Sequence, residues 1–492
     1  MANLFTKSEK YKEEYRCSIV KIGELLPIEG SDFLAKTTVD GEYVVVRKDQ
    51  VKEGDVMFYA TNETELDSNF LALNNLFELG EYEKNINAAE VSALIDEGKR
   101  DEAKRKVGYF NKYGRVKMIR LKGCPSFGFL FRQDEMALRF PAIKDLNLED
   151  YVGTDFDSVN DVLFVKAYIP RIHSGENRHV SKGDKRAAKI AKFDRMIEGQ
   201  FALHYDTDPL TKNIHLIKPT DSVVCSVKLH GTSIVIGNVL TKKPKWGGLY
   251  SKIFLYLPRF LQKTYEDYDV VYSSRTVVKN KFINRKVNGG FYGTDVWGEY
   301  YEMIKDYIPK GFTLYGEITG YVSGANSMLQ KGYDYGSEVG SNKLMIYRIN
   351  QVLEDGTKKE WDVHDVYDWT VELLNKLVAD GKEEVAARIH PIDILYEGTL
   401  MDLYPDLSIT DHWHENVLEC LKNEKRFGME ELEPLCVNKV PREGFVLRIN
   451  NDPIKEAWKL KCVKFMERES KEMDAGAVDV EMEDNYGQEI EA

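Results

Sequence analysis

The chain lacks any apolar run long enough to span a bilayer, and its opening MANLFTKSEKYKEEYR lacks the apolar core of a secretory signal. No membrane partner is therefore expected. Its six cysteines (Cys17, Cys124, Cys225, Cys420, Cys436, Cys462) are dispersed, with no CxxC pair. That excludes a cysteine zinc site and points to reduced thiols in a cytosolic compartment. Of nine histidines only His412 and His414, in HWH, are close together. Without a Cys or His partner nearby, a surface turn is preferred to a metal site. There is no GxxxxGK(S/T) phosphate loop, no Rossmann glycine fingerprint and no internal repeat. A nucleotide, if one is used, does not bind through those folds.

What is present is an ordinary globular composition, 43% hydrophobic and 30% charged, over 492 residues. That length predicts two or more domains. The net charge of −13 argues against nucleic acid until its distribution is examined. The last 23 residues, from Ser470, hold eight acids and one lysine, more than half of the total. This tail has no helical apolar stripe and is expected to be disordered. Basic runs stand elsewhere. Arg275 to Lys286 has five basic residues and no acid, and Lys182 to Arg195 is net positive. A charge run is ordinarily a solvated face, so each is weak evidence for a polyanion.

From Tyr15 to about Phe131 the pattern is β. CSIVKI, YVVVRK and VMFYA read as strands between PIEGSD, DGE and KEGD turns. RVKMIRLK switches the parity of its basic residues, Arg115 and Lys117 against Arg120 and Lys122, as one extra residue in a bulged strand would do. Short strands with basic faces suit a small OB-like β-barrel whose open face takes nucleic acid, and suit equally a β-domain with lysines for solubility. Glu81 to Val107 reads as a helical insertion. The expected organisation is an OB-like domain over 1–143, a mixed connector over 144–220, an α+β domain over 221–469, and the acidic tail over 470–492.

In that α+β domain CSVKLH, VVYSSR, FTLYGEI, KLMIYRI, GFVLRI and AWKLKCV read as strands, and Val363 to Leu377 and Trp413 to Leu421 as helices. VCSVKLHGTSIVIG sets Lys228 and His230 on one face of an apolar strand. One such lysine is ordinarily a sheet-edge residue. The oddity recurs, however. FTLYGEITG carries Glu317, REGFVLRIN opens on Glu443, AWKLKCVKF carries Lys459 and Lys461 on one face, and Arg275 closes a strand. Several charges that would be costly to bury unpaired, spread over successive strands, suggest one shared cleft.

The order KLHG, SSR, YGE, LMIYRI, EGFVLR, KLK resembles the covalent nucleotidyltransferases, polynucleotide ligases and RNA-capping enzymes. KLHG, with His where KxDG is usual, is similar to the RNA ligase branch that includes trypanosome editing ligases. The segment with PIEGSD, GEYVVVRKDQVKEGD and RVKMIRLKG is similar to the OB domain of Naegleria- and Deinococcus-type RNA ligases. The likeness covers about Tyr15 to Arg468. It implies an antiparallel nucleotidyltransferase domain flanked by helices, and an ATP-dependent RNA ligase. Lys228 would attack the α-phosphate of ATP and form a lysyl-adenylate.

A free lysine, with a pKa of about 10.4, is protonated at neutral pH, so burial or neighbouring cations must lower that value. The resemblance gives Lys459 and Lys461 that task together with holding the triphosphate. It gives Glu443 a divalent metal, Mg2+ or Mn2+, and Glu317 the ribose hydroxyls. Arg275 would bind phosphate or ribose, Tyr347 would stack on adenine, and His230 and Gly231 complete the nucleotide site. Arg115, Lys117, Arg120 and Lys122 would meet RNA, in particular a nicked duplex. A monomer acting in RNA repair in the cytoplasm, a host's if the chain is viral, is expected.

Three departures stand out. Arg348 follows the stacking aromatic where Asp is frequent. No domain follows the KLK motif, so the N-terminal domain would dock RNA. Residues 242–269 separate the Lys228 hairpin from Arg275; they are a substrate-contacting element or an insertion of no consequence, and the second is the default. The alternatives are a capping guanylyltransferase, disfavoured by domain order, a DNA ligase, disfavoured by His230 and the same order, and an RNA-binding protein with a decayed transferase domain. The intact set Lys228, Glu317, Glu443, Lys459, Lys461 argues against decay.

Overall fold

A computed structural model of the chain describes residues 4–169, 196–204, 207–247, 250, 253–254, 257–275, 277–279, 292–353, 356–450 and 457–475. Most of both basic runs, and the tail beyond 475, lie outside the described residues. The chain divides into two compact units, Met1–Pro170 with Met466–Lys471, and Arg171–Phe465 with Glu472–Ala492.

In the first unit the expected strands form as Cys17–Lys21, Glu42–Arg47 and Val56–Ala60. The helical insertion contains helices Ala88–Asp96 and Arg100–Arg105. The α+β class holds, but the expected barrel does not close. Among the described residues the strands divide into small sheets, the largest with four strands in the order Phe129–Phe131, Val56–Ala60, Cys17–Lys21, Asp155–Phe156. Pro125, inside strand Cys124–Ser126, has no N–H to give to a ladder. Beside it the Val45 amide donates to the Ser126 hydroxyl at 2.9 Å instead of to a backbone carbonyl. A phenylalanine-rich core of Phe58, Phe70, Phe131, Phe156 and Phe164 fills one side, and Ile22, Val44, Val46 and Met57 form a second cluster.

RVKMIRLK is not one bulged strand. Only Ile119–Leu121 is strand, and Arg115 makes an isolated bridge to Glu65. The parity switch has another cause: Arg115 is buried, its guanidinium donating to both carboxylate oxygens of Glu63 (2.7 and 2.8 Å) and to the Ser470 hydroxyl at 3.1 Å.

The second unit has two mainly antiparallel sheets, with Asp208–Pro209 parallel to Ala457–Lys461 in one and Ile389–Pro391 parallel to Asn342–Val352 in the other. The five-stranded one runs in the order Asp208–Pro209, Ala457–Lys461, Gly444–Ile449, Ser222–Lys228, Ile394–Thr399. The larger one centres on Thr264–Ser273, Thr232–Pro244, Phe312–Gly320 and Asn342–Val352. Helix Val363–Ala379, capped by Asp362, turns Val366, Trp369, Leu373 and Leu377 into the core that the larger sheet shares with Ile234, Leu314 and Ile346. Helix Trp413–Lys422 places Trp413, Val417 and Leu421 in the core of the smaller sheet, with Val223, Cys225, Leu447 and Leu460. Next to it, His414 lies 2.9 Å from the Ile217 carbonyl.

Candidate active site

Three adjacent strands of the smaller sheet deliver the charged groups. Lys228 pairs with Gly444 and Gly444 with Lys461; Ser226 pairs with Val446 and Val446 with Lys459. Directly opposed residues share a face, so Lys228, Lys459 and Lys461 stand on one face while Val223, Cys225, Leu447 and Leu460 fill the core beneath. Gly444 permits this closeness. Its φ is +147°, and a Cβ there would stand 2.0 Å from the Leu460 carbonyl oxygen.

Glu443 is 3% exposed, and its Oε1 lies 2.7 Å from Lys228 Nζ. Burial alone would raise its pKa. The charges of Lys228, His230 and Lys461 outweigh that and hold the carboxyl below its ordinary value. The other oxygen, Oε2, is buried with no hydrogen-bond partner. An anionic oxygen in that position is costly. It fits a divalent cation that takes one carboxylate from protein and its remaining oxygens from phosphate and water. Among the described residues no group of three His, Cys, Asp or Glu gathers to hold a metal by protein alone.

The KLHG turn is fixed from several sides. The Gly231 amide donates to Glu317 Oε1 at 3.0 Å, Gln330 Nε2 donates to the Gly231 carbonyl at 2.8 Å, and the His230 amide donates to the Tyr335 hydroxyl at 2.8 Å. A Cβ on Gly231 would come within 2.3 Å of the Ile318 carbonyl oxygen, so only glycine lets the turn close on strand Phe312–Gly320. The His230 ring packs edge-on against Tyr333 and Phe465, each at 5.0 Å between centroids. Lys461 Nζ lies 5.3 Å from the same Phe465 ring. His230 therefore ties the KLHG turn to the end of the Lys459/Lys461 strand. Tyr335, with φ +46°, is kept protonated by burial and by the charge of Glu443, which push its phenol up.

On the larger sheet the register shifts opposite Tyr315 and Gly316, leaving Tyr347 as the extra residue of a bulge. Its hydroxyl lies 3.1 Å from His204 Nδ1, which is 2.8 Å from Ser233 Oγ, and Tyr315 donates to the Ala202 carbonyl at 3.0 Å. Residues 201–204 thus run along the face that carries Tyr347. Arg348 ion-pairs with Glu360 of the neighbouring strand Lys358–Glu360 and lies over the Tyr315 ring. Glu360 is the acid that meets Arg348 at this corner. Arg448, 7% exposed, has a buried Nε without a hydrogen-bond partner. Burial and the charge of Arg348, against Glu360 and Tyr347, push its pKa down to about 10. Arg275 is half-buried just past strand Thr264–Ser273.

Gln330, Tyr333, Tyr335, His204 and Arg448 were not singled out by sequence. The GANSMLQKGYDYG stretch offered only its density of Gly and Tyr, and EGFVLR already contained Arg448. In the first unit, the residues expected to meet RNA do not form one face. Arg115 is buried in its ion pair, which removes it from such a face. Arg120 is bound to Glu467 and to the Gly123 carbonyl, Lys117 is half-buried, and Lys122 is exposed in a turn at φ +49°. Of the run starting at Arg275, Lys279 is buried against Trp297, 4.1 Å from its ring centre.

No protein-family model and no curated protein matches the chain. Solved structures of Naegleria gruberi RNA ligase do. A mutant holding AMP and manganese matches with a TM-score of 0.51 at 16% identity, over 92% of this chain and 98% of that one. The protein with pyrophosphate matches with a TM-score of 0.51 at 14% identity over the same shares. An apo mutant matches at 0.51 and 15% identity, over 93% and 99%. The chain is therefore built, over nearly its whole length, on the fold of that RNA ligase.

Proposed function

We propose that the chain is an ATP-dependent RNA ligase that works through a lysyl-AMP intermediate. The observation that carries the reading is the meeting of Lys228 with buried Glu443 on strands that place Lys459 and Lys461 on the same face. In the first step Lys228 Nζ, as the free amine, attacks the α-phosphorus of ATP. A P–N bond forms, the P–O bond to pyrophosphate breaks, and the amine proton passes to solvent. Lys459 and Lys461 offset the charge on the triphosphate. Glu443, with its unpartnered oxygen, would hold Mg2+ or Mn2+, which neutralises phosphate charge when bound. Lys228 meets the carboxylate at Oε1, so the cation would take the other oxygen, Oε2. Glu317 would hold the ribose hydroxyls and Tyr347 the adenine ring. AMP then passes to an RNA 5′-phosphate, and a 3′-hydroxyl displaces it. The reading extends to nicked duplex RNA in repair, a cytoplasmic location and action as a monomer.

Incubation with α-labelled ATP and magnesium or manganese should leave a covalent label on the wild-type protein and none on Lys228→Ala. A chase with nicked RNA should remove the label and yield sealed product. Absence of label with ATP, or label with GTP alone, overturns the assignment, the latter in favour of a capping guanylyltransferase.

A further inference from the structure

The strands on either side of the 242–269 stretch do not end where the sheet does. Strand Thr232–Pro244 pairs with Phe312–Gly320 only from Thr232 to Gly237, while its pairing with Thr264–Ser273 runs on to Pro244 opposite Thr264. A two-stranded ribbon about 20 Å long is the result. Its tip is built. The Tyr250 hydroxyl donates to the Leu261 carbonyl at 2.6 Å, Gln262 Nε2 donates to the Leu257 carbonyl at 3.0 Å, and Phe254 is 1% exposed. Trp246 packs edge-on against Tyr250 at 4.9 Å.

The described residues of this tip display apolar surface where a hairpin ordinarily shows polar side chains. Trp246 is 52% exposed, Phe260 72% and Tyr265 47%. From Lys242 to Lys263 the sequence has six basic residues and no acid. Lys243 is spent on Asp267 at 2.8 Å and Lys242 stands opposite Glu266 in the ladder, but among the described residues Lys245 and Lys263 have no carboxylate partner, and Lys245 lies 5.7 Å from the Trp246 ring centre. Flat aromatic faces interleaved with uncompensated cations suit bases and phosphates together.

We propose that this ribbon tip is a second RNA-contacting surface, in the catalytic unit itself; the proposal rests on the RNA ligase reading above. Its placement selects a polymer. The ribbon strand begins at Thr232, four residues after Lys228, and reaches Pro244 about 40 Å further along. A mononucleotide cannot bridge that span, whereas a nucleic acid held at Lys228 can. An anionic membrane surface shares part of this chemistry and is separated by the test.

The full-length protein is compared with Trp246→Ala/Phe260→Ala and Lys245→Gln/Lys263→Gln. Adenylation with ATP alone should be unchanged in all three, which shows the variants folded and tests the ligase reading separately. Binding of long nicked RNA should weaken about tenfold or more in the aromatic pair. In the lysine pair the slope of log affinity against log salt should fall by about one to two. A nicked duplex too short to reach the tip should bind all three proteins alike. Unchanged binding of the long duplex overturns the proposal. So does equal loss for short and long duplexes. Flotation with vesicles rich in anionic lipid, abolished by the same substitutions while RNA affinity stays, assigns the tip to membrane and overturns it too.

Discussion

Among individual side chains, Arg448 is held at a cost. Its charge is almost fully buried, its Nε has no acceptor, and Arg348 repels it across the gap while Glu360 offsets only part of that. Replacing a buried, poorly paired charge by an apolar residue of similar length is often stabilising. Arg448→Met should therefore raise stability by about 1 kcal/mol in urea unfolding. If the unused donor faces nucleotide beside Tyr347, the same change raises the KM for ATP in the adenylation step about tenfold. A stability gain with no change in KM would remove Arg448 from the nucleotide site. His230 gains a defined place at the same scale. Its ring is a spacer between Tyr333 and Phe465, and its amide is held by Tyr335. The substitution of His for the more usual Asp thus has a packing consequence as well as an electrostatic one, since His230 contributes to holding Glu443 ionised.

The element that decides whether the site assembles is the ladder joining Ser222–Lys228, Gly444–Ile449 and Ala457–Lys461. It brings charges distant in sequence to one face, at a crossing where only glycine fits. Gly444→Ala would set a Cβ against the Leu460 carbonyl at 2.0 Å in a φ region that side chains avoid. The ladder must shift, at about 3 kcal/mol or more. Thermal unfolding should show a lower Tm, and labelling with ATP should be lost even near 4 °C. Retained labelling would mean that the ladder tolerates the shift. The ribbon grown from Thr232–Pro244 belongs to the larger sheet and follows this ladder through the KLHG turn, so substitutions at its tip should leave the ladder unaltered.

At the scale of the whole molecule, stability on the acid side depends on carboxylates whose pKa values are depressed in the folded state. Glu424 is held at about 2, chiefly by hydrogen bonds from Arg426, with Tyr404 adding another. Glu443 shifts in the same direction. A depressed carboxyl contributes stability that is present above the unfolded value, about 4.3, and is lost as pH falls through the folded one. Urea midpoints should thus drop steeply between about pH 4.3 and 2. Glu424→Gln should cost about 1–2 kcal/mol at neutral pH, less than the full shift implies because Arg426 is largely solvated, and should flatten that acid limb. An unchanged limb would show that other groups carry it.

Sequence by itself determined the main strands of the second unit and two of its helices, Val363–Ala379 and Trp413–Lys422, and singled out Lys228, Glu317, Glu443, Lys459 and Lys461. Charges set into apolar strands survive in a fold only where partners meet them, and that pattern is readable in one dimension. Tertiary structure alone decided which charges meet. Arg115 looked like a surface base and is buried on Glu63, because a basic residue in a strand pattern does not say whether an acid waits opposite it. Pro125 offers no N–H, and Ser126 takes the Val45 amide through its hydroxyl, details too local to alter hydrophobic periodicity. Gln330, Tyr335 and His204 reach the site from loops, whose positions depend on the strands they cross and not on any repeat of their own. The unpartnered oxygen of Glu443 is of the same kind: the residue was legible, but which of its oxygens meets a donor is decided by the packing of the strands around it.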